Sequence, residues 1–174
     1  INLTGVHPFI ITLGTQSIFR ALTLIISNAQ ATFGMPKIFT QIFGGLYHGV
    51  PMAVVIALVV AVLCWFITSK LTFGRNLYVM GGNRDAAWFS GINVKKIKIL
   101  VWTISGALAG FCGVVLASRL ASGQPSTGEG YETDAIAAAV LGGTSFFGGT
   151  GSVGGLLIGV LIIGLISNGL NLMH

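Results

Sequence analysis

Long apolar segments alternate with short polar ones along this chain, and the apolar segments decide the predicted fold. A helix needs about 20 residues to cross a hydrocarbon core that is ~30 Å thick. Segments close to that length lie at residues 8–27, 52–69, 97–119 and 153–173. The second of them, MAVVIALVVAVLCWFITS, contains no charged residue, and Lys70 follows it directly. We therefore predict an all-α fold, a polytopic bundle of transmembrane helices.

A shorter apolar segment at residues 133–142 has the length of a half-helix and is too short to span a membrane alone. Thr133 or Asp134 is its predicted N-cap, because such side chains accept hydrogen bonds from the first free amides of a helix. A glycine-rich turn, GGTSFFGGTGSVGG, follows at residues 142–155. Glycine permits both close backbone packing and contact with a ligand, and packing is the favoured interpretation.

Small residues recur at four-residue spacing in two of the predicted helices, which allows helices to approach closely. One set is Ser105, Ala109 and Gly113, and the other is Gly151, Gly155 and Gly159. The first set is therefore expected to face protein, and the second set permits close helix contact.

The composition supports a membrane chain and argues against several functions. The 174 residues are 53% hydrophobic and 7% charged, against roughly 25% charged in soluble domains. Cys64 and Cys112 lie within apolar segments and are expected to be buried structural thiols. His7, His48 and His174 are far apart in sequence, so no metal site is predicted.

Catalytic chemistry finds no support in the sequence. A phosphate-binding P-loop requires a Gly-Lys pair, and the sequence contains none. No serine has a neighbouring histidine to act as a base. We therefore expect no bound cofactor and no enzyme activity of the chain itself.

The basic residues predict how the chain is oriented. Six of the nine Lys and Arg residues lie between residues 70 and 98: Lys70, Arg75, Arg84, Lys95, Lys96 and Lys98. Short loops rich in these residues stay in the cytoplasm. Three of the four acids, Glu129, Glu132 and Asp134, fall one crossing away. These acids are therefore predicted to lie on the outer side, as is His174.

Within this basic region, residues 81–98 form a polar island, GGNRDAAWFSGINVKKIK. A short helix there would bring Asp85, Ala86, Phe89 and Ile92 together, with Gly91 as its end. Such a helix could dock into another protein. The lysines alone are explained as well by membrane topology.

A few polar residues in or beside the apolar segments are candidates for contact with a transported molecule. Arg20 either faces a water-filled pathway or extends to the outer surface. Arg119 ends its segment and is expected to anchor at the interface. Asn168 and Asn171 either pack between helices or touch the transported molecule, and packing is favoured.

Specific strings resemble one protein family. GRNLYVMGGNRDAAWFSGINVKKIKI and GYETDAIAAAVLGGTSFFGGTGSVGGLLIGVLIIGLISNGLNLM resemble the ribose, galactose and arabinose permeases of bacterial ATP-binding cassette (ABC) importers. The resemblance covers nearly the whole chain. It implies that residues 1–174 are one incomplete permease domain, the later half of a longer protein without its final helix. It also implies a multi-pass protein of the bacterial inner membrane that translocates a monosaccharide, a ribose-like pentose or a hexose.

The resemblance assigns the polar island to a cytoplasmic coupling helix that docks on a separate ATPase. Ala86, Ala87 and Gly91 correspond to the Ala-Ala and Gly of the family signature, and Asp85 replaces its usual Glu. The implied ATPase-coupling residues are Gly82, Asn83, Arg84, Asp85, Ala86, Ala87, Ser90, Gly91 and Ile92. ATP and Mg would be used by the ATPase alone.

The resemblance implies further partners. These are a periplasmic or lipid-anchored sugar-binding protein and a second permease copy, identical or different. Membrane lipid surrounds the chain, and no nucleic acid partner is expected. Gln124, Glu129 and Glu132 are the predicted contacts of the binding protein. Arg20, Asn168 and Asn171 are the predicted pathway residues.

Alternatives stay open. Related permeases for branched-chain amino acids or furanose signal molecules share segments such as AAAVLGG. An ion-driven secondary transporter would also use a broken helix. An intramembrane enzyme lacks a catalytic pair.

Overall fold

A computed structural model describes residues 8–47 and 49–173 and shows the predicted all-α fold, with 73% of these described residues in helices. The helices are α1 (Pro8–Ile26), α2 (Lys37–Gly44), α3 (Met52–Lys70), α4 (Thr72–Gly82), α5 (Arg84–Phe89), α6 (Val94–Leu120), α7 (Tyr131–Leu141) and α8 (Val153–Leu172). The strands are two residues each: β1 (Thr32–Phe33), β2 (Leu46–Tyr47), β3 (Val50–Pro51) and β4 (Ser122–Gly123). In these two ranges, three helices are long and apolar enough to cross a membrane, namely α3, α6 and α8.

Several helix boundaries differ from the sequence-based expectation, and capping explains two of the differences. Helix α6 begins at Val94 rather than Ile97 because Asn93 caps it, its side-chain oxygen accepting a hydrogen bond from Lys96 N at 3.1 Å. Helix α7 begins at Tyr131 with Gly130 as N-cap in the left-handed conformation, so the predicted caps at Thr133 and Asp134 are wrong. Helix α4 was not predicted, because its sequence TFGRNLYVMGG mixes polar and apolar residues with three glycines.

Helices α7 and α8 form a closely packed hairpin around the glycine-rich turn. The α8 backbone at Gly155 faces the carbonyl group of Gly142, and that at Gly159 faces the carbonyl group of Ala138. A methyl group at either glycine would overlap that backbone. The regular spacing of small residues in this part of the sequence therefore serves close helix contact, as predicted.

The C-terminal half of α6 and the strand after it are joined to α2 and β1 by a second set of contacts. Ser118 Oγ donates to the carbonyl oxygen of Phe39 at 2.8 Å, and the ring of Phe43 packs edge-on against Phe111 at 6.2 Å between centroids. Strand β4, directly after α6, pairs antiparallel with β1. The C-terminal end of α6, which carries Ser118, thus contacts α2, and strand β4 after it pairs with strand β1.

The middle of α6 has an open face. No other part of the described chain lies within 4 Å of a methyl group placed at Gly106, Gly110 or Gly113. Cys112 on the same helix is exposed and Cys64 is only half-buried, and both are free thiols. The expectation of buried cysteines is therefore wrong, since the described residues leave Cys112 exposed and Cys64 partly exposed.

Candidate functional site

The predicted coupling helix is α5, which lies between α4 and α6. It is at the end of the bundle that carries the six basic residues of segment 70–98, and we call this end the basic end. Helix α5 is only six residues long, so its start depends on a cap. Asn83 supplies it, its Oδ1 accepting hydrogen bonds from Asp85 N and Ala86 N, each at 3.0 Å. The predicted site residue Asn83 is therefore a structural determinant of α5.

The C-terminal end of α5 is fixed by a serine and a glycine, two other predicted site residues. Ser90 Oγ donates to Ala86 O at 2.8 Å, and Gly91 N donates to Trp88 O at 3.0 Å. Gly91 has φ +77°, a conformation that side chains disfavour. Ile92 N then donates to Ala87 O at 3.0 Å, which turns the chain towards α6. The predicted break at Gly91 is confirmed.

One face of α5 lies on the body of the protein and the other is open. Ala87 is completely buried, and Val94 and Ile97 at the start of α6 are buried as well. Trp88 and Phe89 are 63% and 87% exposed, and the other exposed residues of this segment are Gly82, Asn83, Arg84, Asp85, Ala86, Ser90 and Gly91. We call the exposed side of residues 82–91 the docking surface.

The glycine-rich turn is attached to the start of the docking surface. A methyl group at Gly81 would lie 2.5 Å from Gly149 N, and one at Gly149 would lie 2.8 Å from the Cα of Gly82. The hydroxyl of Tyr78 donates to the carbonyl oxygen of Gly151 at 3.0 Å. Backbone lies directly on backbone here, so helices α4 and α5 are joined to the α7–α8 hairpin.

A polar cluster joins α1 to the start of α7. Arg20 Nη1 forms an ion pair with Glu129 Oε1 at 2.6 Å, and Gln16 Nε2 donates to Glu132 Oε1 at 2.7 Å. The hydrogen bond from Gln16 lowers the pKa of Glu132, with a smaller contribution from the charge of Arg20. Glu132 is therefore ionised at neutral pH. The polar cluster is defined by these four residues: Gln16, Arg20, Glu129 and Glu132.

Next to the polar cluster, a cavity of about 370 Å³ lies between α1, α6 and the connection after α6. Thr23 and Ser27 line it from α1, Leu116 lines it from α6, and Gln124 lines it from the loop. Gln124 is exposed there and accepts a hydrogen bond from Thr127 at 3.4 Å. Arg20, a predicted pathway residue, is thus paired with Glu129, a predicted contact of the binding protein, while Gln124 lines the cavity.

The remaining predicted residues lie elsewhere. Asn168 and Asn171 are exposed near the C-terminal end of α8. Arg119 is exposed in the last turn of α6. His7, His48 and His174 fall outside the described residues. Within residues 8–47 and 49–173, no three or more His, Cys, Asp and Glu side chains group closely enough to hold a metal ion.

Sequence reasoning missed three features of these sites. Gln16 was not singled out, because an amide within an apolar helix gives no sign of a partner 116 positions away. Tyr78 was missed because α4 was not predicted. A pair of phenylalanines, Phe146 and Phe147, projects from the glycine-rich turn and is exposed. Two large apolar residues within a run of glycines were a signal in the sequence that could have identified this turn as an exposed feature.

Comparison with known proteins identifies the family. The profile of a family described as branched-chain amino acid transport system, permease component, matches residues 1–174. No solved structure matches the chain.

Similar curated proteins are named as sugar permeases. The D-allose transport system permease protein of Escherichia coli is 49% identical over 174 residues, which is 100% of this chain and 53% of that protein. The ribose import permease protein of Bacillus subtilis is 46% identical over 168 residues, 95% of this chain and 52% of that protein. The xylose transport system permease protein of Haemophilus influenzae is 46% identical over 127 residues, 73% of this chain and 34% of that protein. This chain therefore spans about half the length of the first two relatives, and it belongs to the branched-chain amino acid transport system permease family.

Proposed function

We propose that this chain forms part of the membrane-spanning permease of an ATP-driven importer for a monosaccharide in the bacterial inner membrane. The observation that carries the proposal is α5, a short helix that is capped at both ends and seated through buried Ala87. It presents exposed residues at the basic end of the bundle, which the positive-inside rule places in the cytoplasm. Exposed aromatic residues on a helix that is already held in place support docking of a separate ATPase there.

Two sets of contacts described above, those of the glycine-rich turn and those of the polar cluster, would transmit movement from the docking surface to the outer side. ATP binding would draw two ATPase subunits together, and each would carry a docking surface with it. Because the turn at Gly149 rests on Gly81 and Gly82, displacement of α5 would move the α7–α8 hairpin. The other end of that hairpin meets α1 through the polar cluster. Motion at the cytoplasmic side would thus reach the outer side, as alternating access requires.

The proposed substrate is a monosaccharide, a ribose-like pentose or a hexose. Support comes from the relatives named for D-allose, ribose and xylose. A branched-chain amino acid is the second candidate, because the description of the matching family names that substrate. We favour the sugar because the sugar relatives are 43–49% identical to this chain.

The surfaces at the two ends of the helix bundle indicate the proposed partners. The ATPase occupies the docking surface, and a sugar-binding protein approaches the loop that carries Gln124 and Glu129 on the outer side. A second permease copy completes the transporter. The open face of α6, with Gly106, Gly110 and Gly113, suits either that copy or the rest of the same protein, because small residues let helices approach closely.

A purification experiment tests the proposal. The full-length permease carrying this sequence would be purified from its native cells in mild detergent, and its companions would be identified by mass spectrometry. The variant for comparison is Gly91→Pro, since proline is held near φ −65° and cannot adopt the φ of +77° at this position. We expect an ATPase to accompany the unaltered protein and to be lost from the variant, while both reach the membrane in equal amounts.

A substrate assay separates the two candidates. Competition of unlabelled D-allose, D-ribose, D-xylose and L-leucine against uptake of a labelled sugar should show inhibition by a sugar and none by leucine. Uptake of labelled leucine with no sugar uptake would favour the amino acid. Equal recovery of the ATPase with Gly91→Pro would remove the assigned role of α5.

A further inference from the structure

We infer that the tip of the glycine-rich turn, Phe146 and Phe147, is a second contact for the ATPase, beside the docking surface. This inference rests on the proposed function, since it names a further part of the same interface. It would give the α7–α8 hairpin a direct connection to the ATPase, in addition to the indirect one through α5.

The exposure of these two rings sets them apart from the rest of the turn. Phe146 is 77% exposed and Phe147 is 95% exposed. Their ring centroids are 6.3 Å apart in an edge-on arrangement, so they contact each other rather than the body of the protein. Aromatic side chains that project from a surface are typical anchors of protein interfaces.

The loop that holds them is well defined. Ser145 N donates to Thr150 O at 3.0 Å and closes the loop at its base. Within it, Phe147 N donates to Ser145 Oγ at 3.2 Å and Gly148 N donates to Ser145 O at 3.2 Å. Gly148 and Gly149 both have positive φ, which reverses the chain directly after the rings. A loop held this way loses little further freedom when a partner binds it, which favours binding.

The position of the loop indicates the partner. Gly148 and Gly149 lie on the backbone of Gly81 and Gly82, immediately before Asn83 caps α5. The phenylalanines are therefore close to the docking surface, which carries the exposed rings of Trp88 and Phe89. A protein that covers α5 would reach the turn as well. This continuity favours the ATPase over a lipid surface, because α5 with its exposed Arg84 and Asp85 lies in a polar connection.

Site-specific photocrosslinking in the full-length permease within native membranes tests the inference. The photoreactive residue p-benzoylphenylalanine would replace Phe147 in one variant, Phe89 in a second and Phe33 in a third. Phe89 reports on the docking surface itself. Phe33 is the matched control, because it is 74% exposed but lies in β1, which pairs with the strand after α6 at the opposite end of that helix. Mass spectrometry of each adduct would identify the crosslinked molecule.

We expect Phe147→p-benzoylphenylalanine and Phe89→p-benzoylphenylalanine each to give an adduct with an ATPase, which is recognised by its P-loop peptide. The Phe33 variant should give no such adduct. An ATPase adduct from Phe89 but only lipid, permease or no adduct from Phe147 would overturn the inference and leave the proposed function standing. Absence of an ATPase adduct from both positions would overturn both.

A second measurement examines the energetic role of the rings. Phe146→Ala combined with Phe147→Ala should reduce recovery of the ATPase by about tenfold, as loss of an aromatic anchor does. Phe33→Ala should leave that recovery unchanged. Unchanged recovery with the double variant would contradict a binding role for the turn.

Discussion

At the scale of single residues, the size of Ala87 determines how α5 sits on the protein. Its side chain is completely buried, while that of its neighbour Ala86 is exposed. A larger side chain at a fully packed position forces its surroundings apart, at a cost of about 1–3 kcal/mol. Two adjacent alanines of the same helix therefore have different roles, one in packing and one on the docking surface.

We predict that Ala87→Leu will destabilise the packing of α5 against the rest of the protein by about 1–3 kcal/mol. Ala86→Leu is the matched control and should leave folding unchanged. Thermal unfolding of the detergent-purified permease, together with proteolysis at residues 82–92, measures both effects. Equal behaviour of the two variants would show that Ala87 does not support α5.

The ion pair of Arg20 and Glu129 offers a test of the polar cluster. Its side chains are 30% and 67% exposed, so water weakens the attraction, and we expect a coupling energy of about 0.2–1 kcal/mol. Arg20→Glu or Glu129→Arg alone should reduce sugar uptake, whereas the two together should restore most of it. A double variant as impaired as the sum of the single variants would show that the pair does not act as a unit in transport.

The sequence predicted individual residues unevenly. Gly91 was recognised as a helix end because glycine is the residue that tolerates its conformation. The partnership of Arg20 with Glu129 was not recognised, and the two were assigned to different sites. Charge and hydropathy describe a residue and its close neighbours, while this ion pair joins positions more than a hundred residues apart.

At the scale of elements, the cap of α5 is decisive because a six-residue helix cannot sustain itself. Asn83→Ala removes the acceptor for two amides and should weaken α5 by about 1 kcal/mol. Asn83→Asp keeps an acceptor and should restore the helix. Hydrogen exchange of the amides of Asp85 and Ala86 measures the effect directly. Unchanged protection in the alanine variant would contradict the role of the cap.

The joint between the glycine-rich turn and α4 is a second feature at this scale. Gly149 and Gly143 have nearly equal φ, +81° and +82°, but only a methyl group at Gly149 would meet other backbone, at 2.8 Å from the Cα of Gly82. Both substitutions by alanine pay a backbone cost of about 1 kcal/mol or more. They differ only in the contact.

We therefore predict that Gly149→Ala will separate ATP hydrolysis from sugar uptake, while Gly143→Ala will reduce stability without doing so. The ratio of sugar transported to ATP hydrolysed, measured in reconstituted vesicles, distinguishes the two variants. The same ratio in both would mean that this joint does not transmit movement.

Elements were predicted best where hydropathy alone decides them. Helices α3 and α8 are almost wholly apolar, and their positions follow from segments 52–69 and 153–173. Helix α4 was missed because its stability comes from packing, including the contact of Tyr78 with Gly151, 73 positions away. The small residues of α8 showed that a close contact would form but not that α7 would be the partner.

At the scale of the whole molecule, the two ends of the helix bundle have distinct surfaces, and the α7–α8 hairpin connects them. The basic end presents α5 and the glycine-rich turn with Phe146 and Phe147. The other end presents the polar cluster and the cavity of about 370 Å³. The described chain leaves the middle of α6 uncovered, which agrees with a unit that works within a larger assembly.

The central claim is that ATP hydrolysis by a partner drives a sugar through this permease, and one measurement tests it most directly. The complete transporter would be reconstituted into vesicles with its binding protein outside and ATP inside, and uptake of labelled sugar would be followed with and without Gly91→Pro. The account predicts uptake that requires internal ATP and is lost in the variant although the protein is inserted normally. Uptake without ATP, driven by a proton or sodium gradient and unaffected by Gly91→Pro, would contradict it.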